Sequence, residues 1–237
     1  MDQQKQVFKE LDSFVKSSLS THVDLEVILI WNAFGSKTVS ALGLELANCR
    51  KIENLKLCLY QNDIADHGLT GLNFAFECFQ LKKLDYSLGG NLIGPKGATE
   101  LGITLSLCTE LQDLNLELWD NRINEGVLGI SSVLAKIPNL SHLELNMRQN
   151  KIRSKGTLDI GDALKYCTKL KFLSFLMSDN DIGFQDVSTL GQNIARYPSL
   201  IYLKLDLHYN SLGTVQKGKL TKRLLKTKRL TKLMLHL

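Results

Sequence analysis

Proline is scarce in this chain, three in 237 residues, so a proline-rich spacer or recognition segment is excluded. No apolar run approaches the roughly 20 residues that a membrane-crossing helix needs. The opening residues, Met1-Asp2-Gln3-Gln4-Lys5, are polar and supply no apolar core for a secretory signal. Cysteine is limited to Cys49, Cys58, Cys78, Cys108 and Cys167, and no C-x-x-C occurs, which removes the usual zinc spacing. The five histidines, at 22, 67, 142, 208 and 236, share no metal-ligand spacing. The glycine-rich stretch Gly89–Gly97 fails as a phosphate loop, because with Lys96 in the lysine position Pro95 stands where the second glycine belongs and Gly97 where a metal-binding Ser or Thr belongs. His208 lies two residues from Asp206 with no nucleophile in register. No catalytic residue, cofactor site or metal site is expected, and the chain reads as a non-enzyme.

What the sequence has in quantity is a repeated word. Leu111 to Asn121 reads LQDLNLELWDN, and Ile123 follows two residues after the Asn. Leu114, Leu116 and Leu118 alternate with polar residues, the period of a half-buried strand. Anchoring on the first leucine gives Leu25, Leu55, Leu84, Leu114, Leu143, Leu173, Leu203 and Leu233, spaced by 29 or 30 residues. Anchoring on the asparagine gives Asn32, Asn62, Asn91, Asn121, Asn150, Asn180 and Asn210. Two residues beyond each comes Phe34, Ile64, Ile93, Ile123, Ile152, Ile182 or Leu212. Three columns in register over seven units mean a repeat architecture in which each unit contacts its neighbours.

The pattern L-x-x-L-x-L-x-L-x-x-N-x-I and its period resemble the leucine-rich repeat family, in the long, helix-bearing, ribonuclease-inhibitor-like form. The resemblance covers about residues 20–237. It departs from the usual word by one extra x-L pair, which lengthens the strand. It implies an α/β solenoid, a curved horseshoe with parallel strands on the concave face and helices on the convex face. The expected organisation is an N-terminal capping helix in residues 1–20, then seven repeats over 21–237 with the opening strand of an eighth.

Several local expectations follow. Val7, Phe8, Leu11, Phe14 and Val15 form one apolar stripe and predict an amphipathic helix over 2–18. Within the repeats, Leu42, Leu46 and Cys49 predict a helix face, as do Leu101, Leu105 and Cys108, then Ile160, Leu164 and Cys167, then Leu190, Ile194 and Tyr197. Gly68, Gly97, Gly126 and Gly156 are expected to permit the tight strand-to-helix turn. Four of the cysteines share one column with Ile137, Tyr197 and Thr227, a small buried core site. Cys58 lies off that column and is expected to be accessible. The asparagine column is expected to hydrogen-bond backbone groups from turn to turn.

With Leu114, Leu116 and Leu118 pointing inward, the alternate residues point to the concave face. Trp31, Tyr60, Glu117, Trp119, Arg148, Leu176, His208 and Tyr209 are the candidate partner-binding residues there, of types that dominate binding hot spots. For Trp31 and Trp119 the competing reading is packing between neighbouring repeats. Lys217, Lys219, Lys222, Arg223, Lys226, Lys228, Arg229 and Lys232 make the last repeat basic, and no acid follows Asp206. The readings for this patch are a solvated face, an acidic protein partner, an anionic polymer such as a microtubule surface, or nucleic acid. Nucleic acid is disfavoured because no aromatic residues interleave with the charges. The apolar run Leu233–Leu237 reads as an open strand edge that docks on another chain or self-associates.

The leading expectation is a non-catalytic scaffold or structural subunit of an intracellular, cytoplasmic assembly, a cytoskeletal or ciliary one included, that binds one or more proteins and no membrane. Similar repeats occur in ribonuclease inhibitor, tropomodulins, the activator of the Ran GTPase and a subunit of the ciliary dynein regulatory complex. The rival expectation is a regulator of a small GTPase, which would use Arg122 or Arg153 on the strand-to-helix loops.

Overall fold

The computed structural model describes residues 5–77 and 79–237, with the backbone alone for Ser154 and 184–186. Cys78, assigned to the core column by its spacing, lies outside the described residues. So do positions 2–4 of the expected N-terminal helix.

The repeats fold as their periods require. Eight five-residue strands follow one another: β2 Asp24–Ile28, β3 Asn54–Cys58, β4 Lys83–Ser87, β5 Asp113–Glu117, β6 His142–Asn146, β7 Phe172–Leu176, β8 Tyr202–Asp206 and β9 Lys232–His236. Between them lie the helices α2 Gly35–Leu46, α3 Asp66–Phe76, α4 Pro95–Leu107, α5 Val127–Leu134, α6 Arg153–Leu164, α7 Phe184–Ile194 and α8 Thr214–Leu225. A strand that returns through a helix pairs in parallel with its predecessor, and every neighbouring pair does so. The eight column leucines are the paired positions themselves: Leu25 opposes Leu55, Leu55 opposes Leu84, and so on to Leu203 and Leu233. The sheet is open, in strict sequence order.

The core is a continuous layer between sheet and helices. Leu114, Leu116 and Leu118 are fully buried, as are their equivalents in the other central repeats. The helix faces named from spacing are buried against them, including Cys49, Cys108 and Cys167. Burial pushes those three thiols up to about 12.

The asparagines tie repeat to repeat. Asn91 Oδ1 accepts from the backbone N–H groups of Asn62 and Ile64, each at 3.0 Å, while its Nδ2 donates to Leu59 O at 3.1 Å and Leu88 O at 2.8 Å. Asn180 repeats this toward Asn150, Ile152 and Met147.

Two expectations are corrected. The N-terminal stripe is not one helix. Residues Gln6–Phe8 form strand β1, paired in parallel with β2, and only Leu11–Val15 is helical (α1). The β2 edge offers backbone donors and acceptors that only a strand can meet, and this outweighs the helical period. Phe14 is fully buried, and the Phe8 ring packs edge-on against Phe14 and His22, 5.5 Å from each. The second correction concerns Gly68, Gly97 and Gly126, none of which has a positive φ. They sit at the helix starts, where a Cβ would strike the preceding repeat. At Gly97 it would lie 3.0 Å from the Asp66 Cα, and at Gly126 it would run into Pro95. Their role is close lateral stacking. Gly156 meets Val127 and Ile152 side chains in the same way.

Candidate functional site

Alternation along each strand sends three columns to the concave face. The first runs Glu26, Lys56, Asp85 and Asn115 on adjacent strands. Strands stand about 4.8 Å apart, so long side chains reach across. Lys5 pairs with Glu26, Lys56 lies 3.7 Å from Glu26 and 3.5 Å from Asp85, and Asn115 donates to Asp85 at 3.1 Å. The bond from Lys5, with the charges of Lys5 and Lys56, holds the Glu26 carboxyl below its usual range against the opposing effect of burial.

The second column joins more distant strands. Glu117 accepts from Asn146 Nδ2 at 2.6 Å. Burial pushes the Glu117 carboxyl up, only partly countered by that bond. Arg148 Nη2 reaches past β7 to Asp206 Oδ2, 2.6 Å away. His208 also faces Asp206, with Nδ1 3.4 Å from Oδ1 and its backbone N–H donating at 3.1 Å. Burial works to raise Asp206, but the His208 N–H and the Arg148 guanidinium outweigh it and hold the carboxyl low. One expected contact residue is thereby corrected: Leu176, on the bridged strand β7, keeps 7% of its surface. Arg148 is engaged in this ion pair with its side chain still 39% exposed. Cys58 is also buried, at 6% exposure, because its neighbours on the sheet close over it, and burial raises its thiol.

The third column carries Tyr60, Trp119 and His208, and the position after it carries Trp31 and Tyr209. Trp31 stands edge-on to Tyr60 with centroids 6.4 Å apart, and Tyr60 is tilted against Trp119, also at 6.4 Å. Tyr60 and Trp119 are two strands apart. Gly89 occupies the position between them, and a Cβ there would collide with the Trp119 indole. The missing side chain lets the indole lean over β4 toward Tyr60. Trp119 and Tyr60 are therefore half-buried by packing, while Trp31 is 69% exposed. His208 and Tyr209 stand exposed at the other end, Tyr209 at 86%.

The residue before each column asparagine is left-handed in every repeat: Trp31, Gln61, Gly90, Asp120, Gln149, Asp179 and Tyr209, with φ between 51° and 60°. Gly, Asn and Asp tolerate this region best. A Trp or a Tyr there costs about 1–2 kcal/mol, and neither Trp31 nor Tyr209 recovers it by burial.

One aromatic group escaped the sequence reading. The residues before the leucine column include His142, Phe172 and Tyr202, whose rings stack at 3.9 Å and 4.1 Å, nearly parallel. Lys232 Nζ covers the far face, 5.3 Å from the Tyr202 centroid. Three consecutive rings in one repeat column were the available signal. Because each ring covers its neighbour's face, this ladder is satisfied internally.

The basic end divides as well. Arg229 Nη2 donates to Ala195 O at 2.6 Å and Ile194 O at 3.3 Å. It completes the C-terminal end of α7, where a cation is favoured, while still lining a groove beside the other basic residues. Lys232 belongs to the ring ladder. Lys219, Lys222, Arg223, Lys226 and Lys228 border the same groove, of about 590 Å³, between α7 and α8, and Lys217 lies nearby on α8. Arg122 is exposed on a strand-to-helix connection, and Arg153 is exposed at the first residue of α6. Among the described residues no group of three or more His, Cys, Asp or Glu could hold a metal ion, and no helix is long and apolar enough to cross a membrane.

No family model and no curated protein matches the chain. Among solved structures, it is similar to an internalin from Listeria monocytogenes, at 23% identity and a TM-score of 0.50 over 98% of this chain and 52% of that one. The chain thus spans about half the length of the internalin it matches. Nine parallel strands in sequence order, a leucine ladder in register and this likeness make the fold a leucine-rich-repeat solenoid.

Proposed function

We propose that this chain is a non-catalytic protein-interaction module, a scaffold-type subunit, and that its partner docks on the concave rim through Trp31 and Tyr60 at one end and His208 and Tyr209 at the other. The observation that carries this reading is the pair Trp31 and Tyr209. Both are large, exposed aromatics held in the left-handed region, a conformation that costs stability and that Gln61, Gly90, Asp120, Gln149 and Asp179 serve in the repeats between them. Folding does not require a ring at either position. A partner that covers both would bury the most hot-spot-prone surface on the rim. The free, buried thiols of Cys49, Cys58, Cys108 and Cys167 support a reducing, intracellular setting. Helices of 8 to 13 residues in the repeats support the ribonuclease-inhibitor-like form.

The test is a quantitative comparison of proteins retained by the wild type and by Trp31→Ala/Tyr209→Ala on affinity purification from the native cell. The double variant is expected to keep its melting temperature and to lose at least about tenfold of the specifically retained partner, as truncating two hot-spot residues would. Retention of the same partners in the same amounts would remove the concave rim as the docking site.

A further inference from the structure

The groove between α7 and α8 lies on the helix side of the solenoid, away from the concave rim. Its α8 wall carries Lys219, Lys222, Arg223 and Lys226, at i, i+3, i+4 and i+7, so all four share one face of the helix. Lys228 closes the end. From Phe184, the start of α7, to Leu237 the chain has ten Lys and Arg and two acids, Asp186 and Asp206. Asp206 is buried on the opposite side of the molecule and already paired with Arg148. The described lining of the groove contains no carboxylate.

Local stability does not account for this arrangement. Like charges at i and i+4, here Lys219 with Arg223 and Lys222 with Lys226, disfavour a helix. The helix C-terminus rewards cations only in its last turn, which holds Lys222 and Arg223 but not Lys219. The opening itself has a packing cause. Where α2 and α3 meet, Gly43 lies against the Gly71 backbone, but Gly191 of α7 meets the Leu220 side chain of α8, which stands between the two helices.

We propose that this groove is a second binding site, for an acidic polypeptide segment in extended conformation. A helix of 12 residues is about 18 Å long, the length of an extended strand of five or six residues, so a short run rich in Glu and Asp would meet the basic side chains along its whole length. The described lining of the groove contains no aromatic side chain, and it offers no stacking platform of the kind that single-stranded nucleic acid uses. The charge is sign-matched and the shape is linear, and both favour the acidic peptide.

Fluorescence anisotropy with a labelled decapeptide containing six glutamates tests the proposal, with its all-glutamine counterpart and a ten-nucleotide polyuridine as comparators. The acidic peptide is expected to bind saturably at low salt and to weaken as salt screens the charges. Lys219→Gln/Lys222→Gln/Lys226→Gln, which preserves helix propensity, is expected to weaken it about tenfold or more. The corresponding triple Lys→Arg variant should bind like the wild type, and Lys37→Gln/Lys51→Gln/Lys83→Gln, distant from the groove, should change affinity less than about twofold. Absence of saturable binding, or equal affinity in the groove triple and the wild type, would overturn the site. Tighter binding of polyuridine than of the peptide would overturn its assignment to acidic polypeptides.

Discussion

Tyr86 and Tyr197 are both sealed in the interior, but only one of their hydroxyls is answered. Tyr197 donates to Gly161 O at 2.6 Å, whereas the Tyr86 hydroxyl has no partner among the described residues. A buried polar group without a bond costs about 1–3 kcal/mol, and a made bond contributes about 1 kcal/mol. Tyr86→Phe is therefore expected to stabilise the protein by about 1 kcal/mol and Tyr197→Phe to destabilise it by a similar amount, read as opposite shifts of the urea midpoint. Glu117 gives a pH-dependent counterpart. Burial raises its folded pKa, so the charged form costs stability in the native state. That cost is relieved as pH falls through the raised value, since the native state then binds the proton more readily. Glu117→Gln keeps an oxygen to accept from Asn146 and removes the charge. Its melting temperature should exceed that of wild type at pH 7, and the difference should vanish on approaching about pH 4, near the ordinary glutamate range. A constant difference across that window would contradict the assignment.

Among the helices, glycine has opposite meanings at different positions. A Cβ on Gly43 would run into the Gly71 carbonyl, and one on Gly102 into that of Gly129. Backbone faces backbone there, so nothing flexible can give way. Gly218, within α8, has nothing within 4 Å of its would-be Cβ. Gly43→Ala is expected to cost about 1–3 kcal/mol through overpacking, while Gly218→Ala should gain about 0.5–1 kcal/mol from helix propensity alone. Thermal melts of the two variants should move in opposite directions. The 29- or 30-residue period placed these helices and their inward faces. It did not reveal which glycines are pressed against a neighbour, since that depends on how closely successive helices stack on the convex side.

Over the whole molecule, the core and the asparagine ladder join each repeat to its immediate neighbours. Asn121 Oδ1 accepts from Ile93 N–H at 3.0 Å, and its Nδ2 donates to Leu88 O and Leu118 O, both at 3.0 Å. Asn121→Ala leaves that donor and those acceptors unmet in the middle of the solenoid and is expected to cost about 3 kcal/mol. Asn32→Ala removes one exposed donation, to Ile30 O, and should cost about 1 kcal/mol or less. Hydrogen exchange on Asn121→Ala should show protection lost chiefly in the turns on either side, at 91–93 and 121–123. Uniform loss along the chain would mean that the ladder does not act between neighbours.

The sequence by itself determined the register and the inward and outward sides of the repeat strands, the asparagine turn and the succession of helices. Each of these repeats by translation, so a column of identical residues is already a statement about neighbours in space. Only the tertiary structure decided what each outward residue does. It drew residues 6–8 into the sheet because an edge strand needs a partner, and it committed Arg148 to Asp206 and Arg229 to the end of α7. It also leaned Trp119 over Gly89 and left Trp31 and Tyr209 bare in left-handed turns. Such outcomes rest on lateral distances of a few ångströms between side chains of different repeats, and no spacing along one strand encodes those distances.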